Sequence, residues 1–293
     1  MKTSKNNVIH NEMTLPWKRL NGKKNPSLIR DSTGATVVAP SDFRDTKSKN
    51  PLNKGISKQK PSRAPAHTGT QARTSRIMTR QHINILIACE ESQIECIAFR
   101  KLGFNAYSCD ILKCSGHHPE WHICHNVTPF LKGKASFRTQ DGKQHKLKQW
   151  HLIIAHPPCT YLCKLSSVHM VRHDIIDKTR YAKMMEARDF FFRCLNADAQ
   201  FVAVENPRPM ARACLPRPNA QVSPHNFGSK YSKATYYWLR NLPPLLFGAQ
   251  LSEKPKCFVS CSRGKYRSRT FIEVAEAIAS QWGDFVGKEL QKQ

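Results

Sequence analysis

HINILIACEESQIECIAFRKLGFNAYSCD, residues 82 to 110, is the stretch that decides the fold. Its first eight residues, 82 to 89, are a β-branched apolar run of the kind that suits a strand buried on both faces. ESQIECIAFRKLG (91 to 103) follows, with Ile94, Ile97 and Ala98 at helical spacing and Gly103 to close the helix. FNAYSCD (104 to 110) reads as a second strand, so the whole stretch is a βαβ unit.

Toward the C-terminus the alternation continues. HLIIAH (151 to 156) is a strand stopped by Pro157-Pro158, and a helix is predicted over 178 to 196. QFVAVE (200 to 205) is a strand stopped by Asn206-Pro207, KATYYWL (233 to 239) another, and FIEVAEAIASQWGDFV (271 to 286) a helix. Alternating strands and helices predict an α/β fold, a doubly wound and mostly parallel sheet covered on both faces. In such sheets ligands collect outside the carboxyl ends of the strands.

Toward the N-terminus the character changes near residue 80. Residues 1 to 80 hold 17 Lys and Arg against 4 Asp and Glu, with no sustained apolar period. They are expected to be a basic, low-complexity and largely disordered tail or linker, with one folded domain over 81 to 290. The 293-residue chain carries a formal charge of +26, which favours a polyanionic partner, and nucleic acid above others. There is no run of 18 apolar residues and no apolar core to the first residues, so neither a membrane span nor secretion is expected, and the protein is placed in the cytoplasm. Eleven cysteines, an odd number spread over strands, helices and loops, read as free thiols of a reducing compartment.

Each strand ends on polar or reactive residues: Cys89, Glu90, Glu91 and Ser92 after the first, Asp110 and Ile111 after the second, His156 to Cys159 after the third, and Glu205-Asn206-Pro207 after the next. Four such ends in one sheet face one crevice. Asp110 stands where an acidic side chain accepts hydrogen bonds from ribose hydroxyls. No glycine lies between Leu86 and Gly103, which argues against a pyrophosphate in the first turn and for a cofactor without phosphates. Cys159, stiffened by two prolines, is a candidate nucleophile, and Glu205 a candidate proton carrier.

The segments ACEESQ, YSCDI, SGHHPEWHI, HLIIAHPPCTYL, AVENP and SKATYYWLRNLPPL resemble the short, phage-encoded members of the DNA cytosine-5 methyltransferase group, over about residues 83 to 285. The resemblance implies the Rossmann-like fold of methyltransferases that use S-adenosyl-L-methionine (SAM). It further implies Cys159 as the nucleophile that adds to the pyrimidine ring, Glu205 as the contact to ring nitrogen 3, and Asn206 as the residue that orients the loop. Cys89, Glu90, Glu91, Ser92, Asp110, Ile111 and Pro157 would hold the cofactor. Lys233, Thr235, Arg263, Lys265, Arg267 and Arg269 would meet DNA, in the cytoplasm of a bacterial host. A DNA-binding protein that has lost catalysis and a pyrimidine-nucleotide modifying enzyme using the same cysteine are the alternatives. Tyr231, Tyr236, Tyr237 and Trp238, interleaved with basic residues, suit base stacking for about half their number. Cys114, His117, His118, His122 and Cys124 have the chemistry of zinc ligands but no standard spacing, so no metal is expected; Trp121 and His122 are placed in or beneath the crevice.

Overall fold

The computed structural model describes residues 79–172, 175–248, 252–261 and 267–292. The expected basic tail therefore lies, but for its last two residues, outside the described residues. The central sheet has seven strands: β1 (Asn84–Ala88), β2 (Asn105–Asp110), β3 (His122–Cys124), β4 (Leu152–Ala155), β5 (Phe201–Pro207), β6 (Ala220–Val222) and β7 (Thr235–Arg240). Their order is β6-β7-β5-β4-β1-β2-β3. β3, β2, β1, β4 and β5 are parallel neighbours, whereas β7 runs antiparallel to both β5 and β6. The sheet is the doubly wound, mostly parallel type that the sequence predicts. The chain winds one way from β1 to β3 and then returns to the other side of β1, so the topological switch point lies between β1 and β4.

Three long helices cover the sheet. α1 (Ile94–Lys101) and α3 (Ile272–Gln291) pack on one face with Ile85, Ile87, Leu152, Ile154 and Tyr237. On the opposite face α2 (Lys178–Leu195) and Trp150 pack with Leu86, Ile153, Val202, Val204 and Trp238. The residues of β1 are buried throughout because both faces are covered, and that burial is what its unbroken apolar run encodes. α2 is capped by the Asp177 carboxylate, which accepts from Arg180 N at 3.0 Å. α1 ends at Gly103, with φ of 86°.

Several local expectations change. The strand expected to stop before Asn206 continues to Pro207, because antiparallel β7 supplies partners as far as Pro207 opposite Thr235. β3 and β6 were not expected. The buried face of α1 is Glu95, Cys96, Ala98 and Phe99 rather than a stripe of Ile94, Ile97 and Ala98. Tyr237 and Trp238 are core residues, each 1% exposed, and Trp238 Nε1 donates to Pro216 O, so neither can stack on a base. Among the described residues no helix is long and apolar enough to cross a membrane. Cys89, Cys96, Cys109, Cys114, Cys124, Cys159, Cys163, Cys194 and Cys214 form no disulfide.

Candidate active site at the switch point

The turn after β1 is built without glycine at the cost of strain. Cys89 and Gln93 both take left-handed backbone, φ 62° and 61°, which costs a side-chain-bearing residue about 1 kcal/mol or more. Cys89 N and Glu90 N both donate to Cys109 O, at 2.7 and 3.2 Å. The Glu90 carboxyl folds back to accept from Glu95 N at 2.7 Å and Cys96 N at 3.3 Å, filling the amino end of α1. The amides that would cradle a pyrophosphate are thus already engaged, and a carboxyl group occupies the helix end. Burial first, then the nearby Glu95 charge, pushes the Glu90 carboxyl up to about 8.

The glycine missing from this turn is supplied from elsewhere. Gly116 lies so close that a Cβ there would come within 2.7 Å of Gln93 Cβ and of Ser92 O. The Gln93 amide clamps the same loop, donating to His118 O and accepting from His118 N. The segment from Cys114 to Cys124 is therefore a wall of the turn. His122 is fully buried, held by Ser108 Oγ and Leu112 O, and His118 stacks on Trp121 at 4.0 Å. Neither Trp121 nor His122 lines the crevice, and among the described residues no three His, Cys, Asp or Glu groups are placed to hold a metal ion.

Outside the carboxyl ends of β1, β2, β4 and β5 lies one cavity of about 500 Å³. Cys89, Glu90, Glu91, Ser92, Asp110, Pro157, Cys159, Glu205, Lys233, Arg267 and Arg269 all line it. Ile111 does not; it is 74% exposed beside it. Asn206 does not either: it points to the opposite face from Glu205, is wholly buried, and neither of its amide atoms has a hydrogen-bond partner. Thr235 is buried, its hydroxyl donating to Lys233 O, so DNA cannot reach it in this arrangement. Arg263 and Lys265 lie outside the described residues. Arg269 reaches Glu91 at 3.4 Å and Ser115 Oγ at 2.9 Å, so it closes a wall of the cavity, whereas Arg267 is exposed at its mouth.

The two chemistry-bearing loops are clipped together. Lys164 N donates to Arg208 O at 2.7 Å and Met210 N to Leu162 O at 2.7 Å, tying the segment after Cys159 to the segment after Glu205. Cys163, four residues beyond Cys159, was not singled out from the sequence. The interaction of the two sulfurs lowers Cys163 to about 5 and pushes Cys159 up, with burial adding to the rise at Cys159; Cys163 Sγ also donates to Ser166 Oγ at 3.8 Å. The two sulfurs titrate as a coupled pair that shares one proton near neutral pH. Alkylation by iodoacetamide should accordingly rise as pH passes about 5 and stay level to pH 7, read by mass spectrometry of the peptide containing both residues. In Cys163→Ser the rise should move above pH 8; a wild-type profile that rises only there would refute the shared proton.

Glu205 and His156 form the second cluster. His156 Nδ1 lies 3.5 Å from Glu205 Oε2, and Nε2 lies 3.1 Å from Glu95 Oε1 on α1. Burial alone would raise the Glu205 carboxyl, but His156 and Lys233 outweigh it and hold it below the usual range. Burial alone would lower His156, yet Glu95 and Glu205 raise it well above the ordinary imidazole range. The sequence places His156 only among the polar strand ends, and nothing in it singles out Glu95.

No protein-family pattern matches the chain, and no curated protein matches it. Among solved structures it is similar to a prophage-encoded protein from E. coli provisionally described as a DNA modification methyltransferase. That likeness has a TM-score of 0.34 and 13% identity, over 54% of this chain and 46% of the other, so the chain spans about half the length of that protein.

Proposed function

We propose that the protein is a SAM-dependent DNA cytosine-5 methyltransferase, with Cys159 as nucleophile and Glu205 as the contact to ring nitrogen 3. The observation that carries this reading is that Cys159 and Glu205 open into one cavity at the switch point, on loops clipped to each other. Cytosine is too poor a carbon nucleophile to be alkylated directly at carbon 5. A sulfur added at carbon 6, with a proton placed at nitrogen 3, makes carbon 5 electron-rich. Cys163 takes the proton that Cys159 gives up as it adds, and Glu205 serves nitrogen 3.

The cofactor follows from what the first turn leaves open. An amino helix end filled by Glu90 refuses a diphosphate, whereas Asp110, at the end of β2 in the cavity wall, suits the hydroxyls of a nucleoside without phosphates. Ser92, Asp110 and Pro157 would hold SAM, which when bound supplies an electrophilic methyl group. The basic residues Lys113, Lys233 and Arg267 around the cavity, and the +26 charge of the chain, favour DNA as the carrier of the base. A cavity of about 500 Å³ takes a base that is extruded from the duplex or presented in a single strand.

Incubation with SAM labelled in its methyl group and unmethylated DNA, followed by nucleoside analysis, tests the reading. The expected product is labelled 5-methylcytosine. Folded protein that labels neither duplex nor single-stranded DNA would overturn it.

A further inference from the structure

The sheet puts three titratable side chains in line beneath the cavity: Glu95 from α1, His156 from the end of β4 and Glu205 from β5. Their exposures are 0%, 11% and 14%. Burying three such groups stabilises the fold less than apolar residues in their place would, so a purely structural role is a poor explanation of the cluster. One ring nitrogen lies at ion-pair distance from each carboxylate, Nε2 3.1 Å from Glu95 and Nδ1 3.5 Å from Glu205, and Nε2 makes no hydrogen bond in this arrangement. Glu95 is itself held by Thr270 Oγ1 at 3.0 Å, from the segment that leads into α3, which fixes the carboxylate on the far side of the ring. Only the Glu205 end of this line reaches the substrate side, since Glu205, His156 and Cys159 line the cavity and Glu95 does not.

Resting on the cytosine-5 reading, we propose that His156, anchored by Glu95, is the positioning residue that stores the proton Glu205 delivers to the pyrimidine ring. A Glu205 carboxylate alone cannot serve nitrogen 3, because two lone pairs would face each other. When the base enters, the Nδ1–H bond of His156 breaks and an O–H bond forms on Glu205. As the Cys159 sulfur bonds to carbon 6, the electron pair of the ring C4=N3 bond settles on nitrogen 3, which takes that proton from Glu205. His156 ends neutral, Glu205 ends as carboxylate and the ring ends neutral; once carbon 5 has bonded to the methyl group, the nitrogen 3 electron pair re-forms the C4=N3 bond and its proton returns through Glu205 to His156, after which loss of the carbon 5 proton to water expels the Cys159 sulfur. The charged and titratable groups around the ring are consistent with a stored proton. Glu95 comes from α1, Glu90 from the turn, Glu205 from β5, Lys233 from the segment before β7, and Tyr237 from β7, its phenol kept neutral by burial and by the two carboxylates.

The test joins a direct readout of the imidazole to the pH dependence of single-turnover methyl transfer. In the wild type, nitrogen-15 NMR of the His156 ring should report an imidazolium at pH 7. The transfer rate should fall on the alkaline side as that proton is lost. Glu95→Gln keeps the shape of the neighbour but removes its charge, and it should shift both the ring titration and the alkaline limb to lower pH together. His156→Gln keeps an amide N–H toward Glu205 but has no proton to give, and should slow transfer about 10²-fold or more, with the alkaline limb gone and S-adenosylhomocysteine binding unchanged. A neutral His156 at pH 7, or a Glu95→Gln limb that does not move, would overturn the assignment while methyl transfer itself stood. Wild-type protein with an imidazolium and no transfer of any kind would instead overturn the cytosine-5 reading, and the assignment with it.

Discussion

Cys159→Ala is expected to abolish formation of 5-methylcytosine, a loss of at least about 10⁴-fold, with S-adenosylhomocysteine and DNA still bound. The size follows from the chemistry: without a sulfur at carbon 6 the ring has no route to an electron-rich carbon 5, so no partial mechanism remains. The variant should fold. Cys159 contributes its carbonyl to the turn, accepting from Leu162 N and Cys163 N at 3.0 Å, and alanine keeps that carbonyl. Its side chain faces the cavity rather than the core. The neighbouring sulfur makes the experiment discriminating, because Cys163 is the more easily ionised of the two. If label persisted in Cys159→Ala and vanished in Cys163→Ala, the nucleophile would be Cys163 and Cys159 its proton donor. If both variants kept full activity, the sulfur chemistry would be wrong altogether. DNA carrying 5-fluorocytosine adds a second readout, since a fluorine at carbon 5 cannot leave as a proton. Wild type should become trapped on it through Cys159, and Cys159→Ala should not.

The strands that sequence reasoning found most directly are those buried on both faces. β1, β4 and β5 are covered on both faces, so their runs 84 to 88, 152 to 155 and 201 to 204 have nothing to hide. β3 was missed because His122, one of its three residues, is polar and becomes buried only by pairing its ring with Ser108 and with Leu112 O, partners that no local pattern announces. β6 is three residues long and stands after Pro216 and Pro218, which read as loop. The crevice itself was legible, because a parallel sheet brings every carboxyl end to one side and the residues there were visibly polar. What the sequence concealed is the second layer. Glu95 looks like an ordinary acidic residue of a helix first turn, and only the arrival of His156 and Thr270 from 61 and 175 positions away makes its burial affordable. Cys163 offered a signal that went unread: in a turn that follows a proline pair, a second thiol four residues on returns to the first.

Trp282→Ala should be the most destabilising single truncation, about 3 to 5 kcal/mol, a large part of the 5 to 15 kcal/mol that holds such a domain. The indole is 1% exposed, sits edge-on to Tyr237 of β7 at 5.5 Å, and donates from Nε1 to Pro243 O at 2.9 Å. Alanine would leave a cavity on one side and an orphaned carbonyl on the other. The neighbourhood cannot collapse to fill it, because Gly283 already lets the helix press on Phe104, where even a Cβ would come within 2.6 Å of the ring. Thermal unfolding should fall by on the order of 10 °C. The same helix begins just after Thr270 and Arg269, which hold Glu95 and Glu91 at the cavity, so its docking to the sheet also sets the cavity wall. At low temperature, where the variant is still folded, S-adenosylhomocysteine affinity should stay close to wild type, and it should collapse together with the circular dichroism signal on warming. A midpoint within 2 °C of wild type would mean that α3 does not rest on β7 through this residue. A loss of affinity in fully folded protein would mean instead that Trp282 shapes the cavity directly rather than through the stability of the helix.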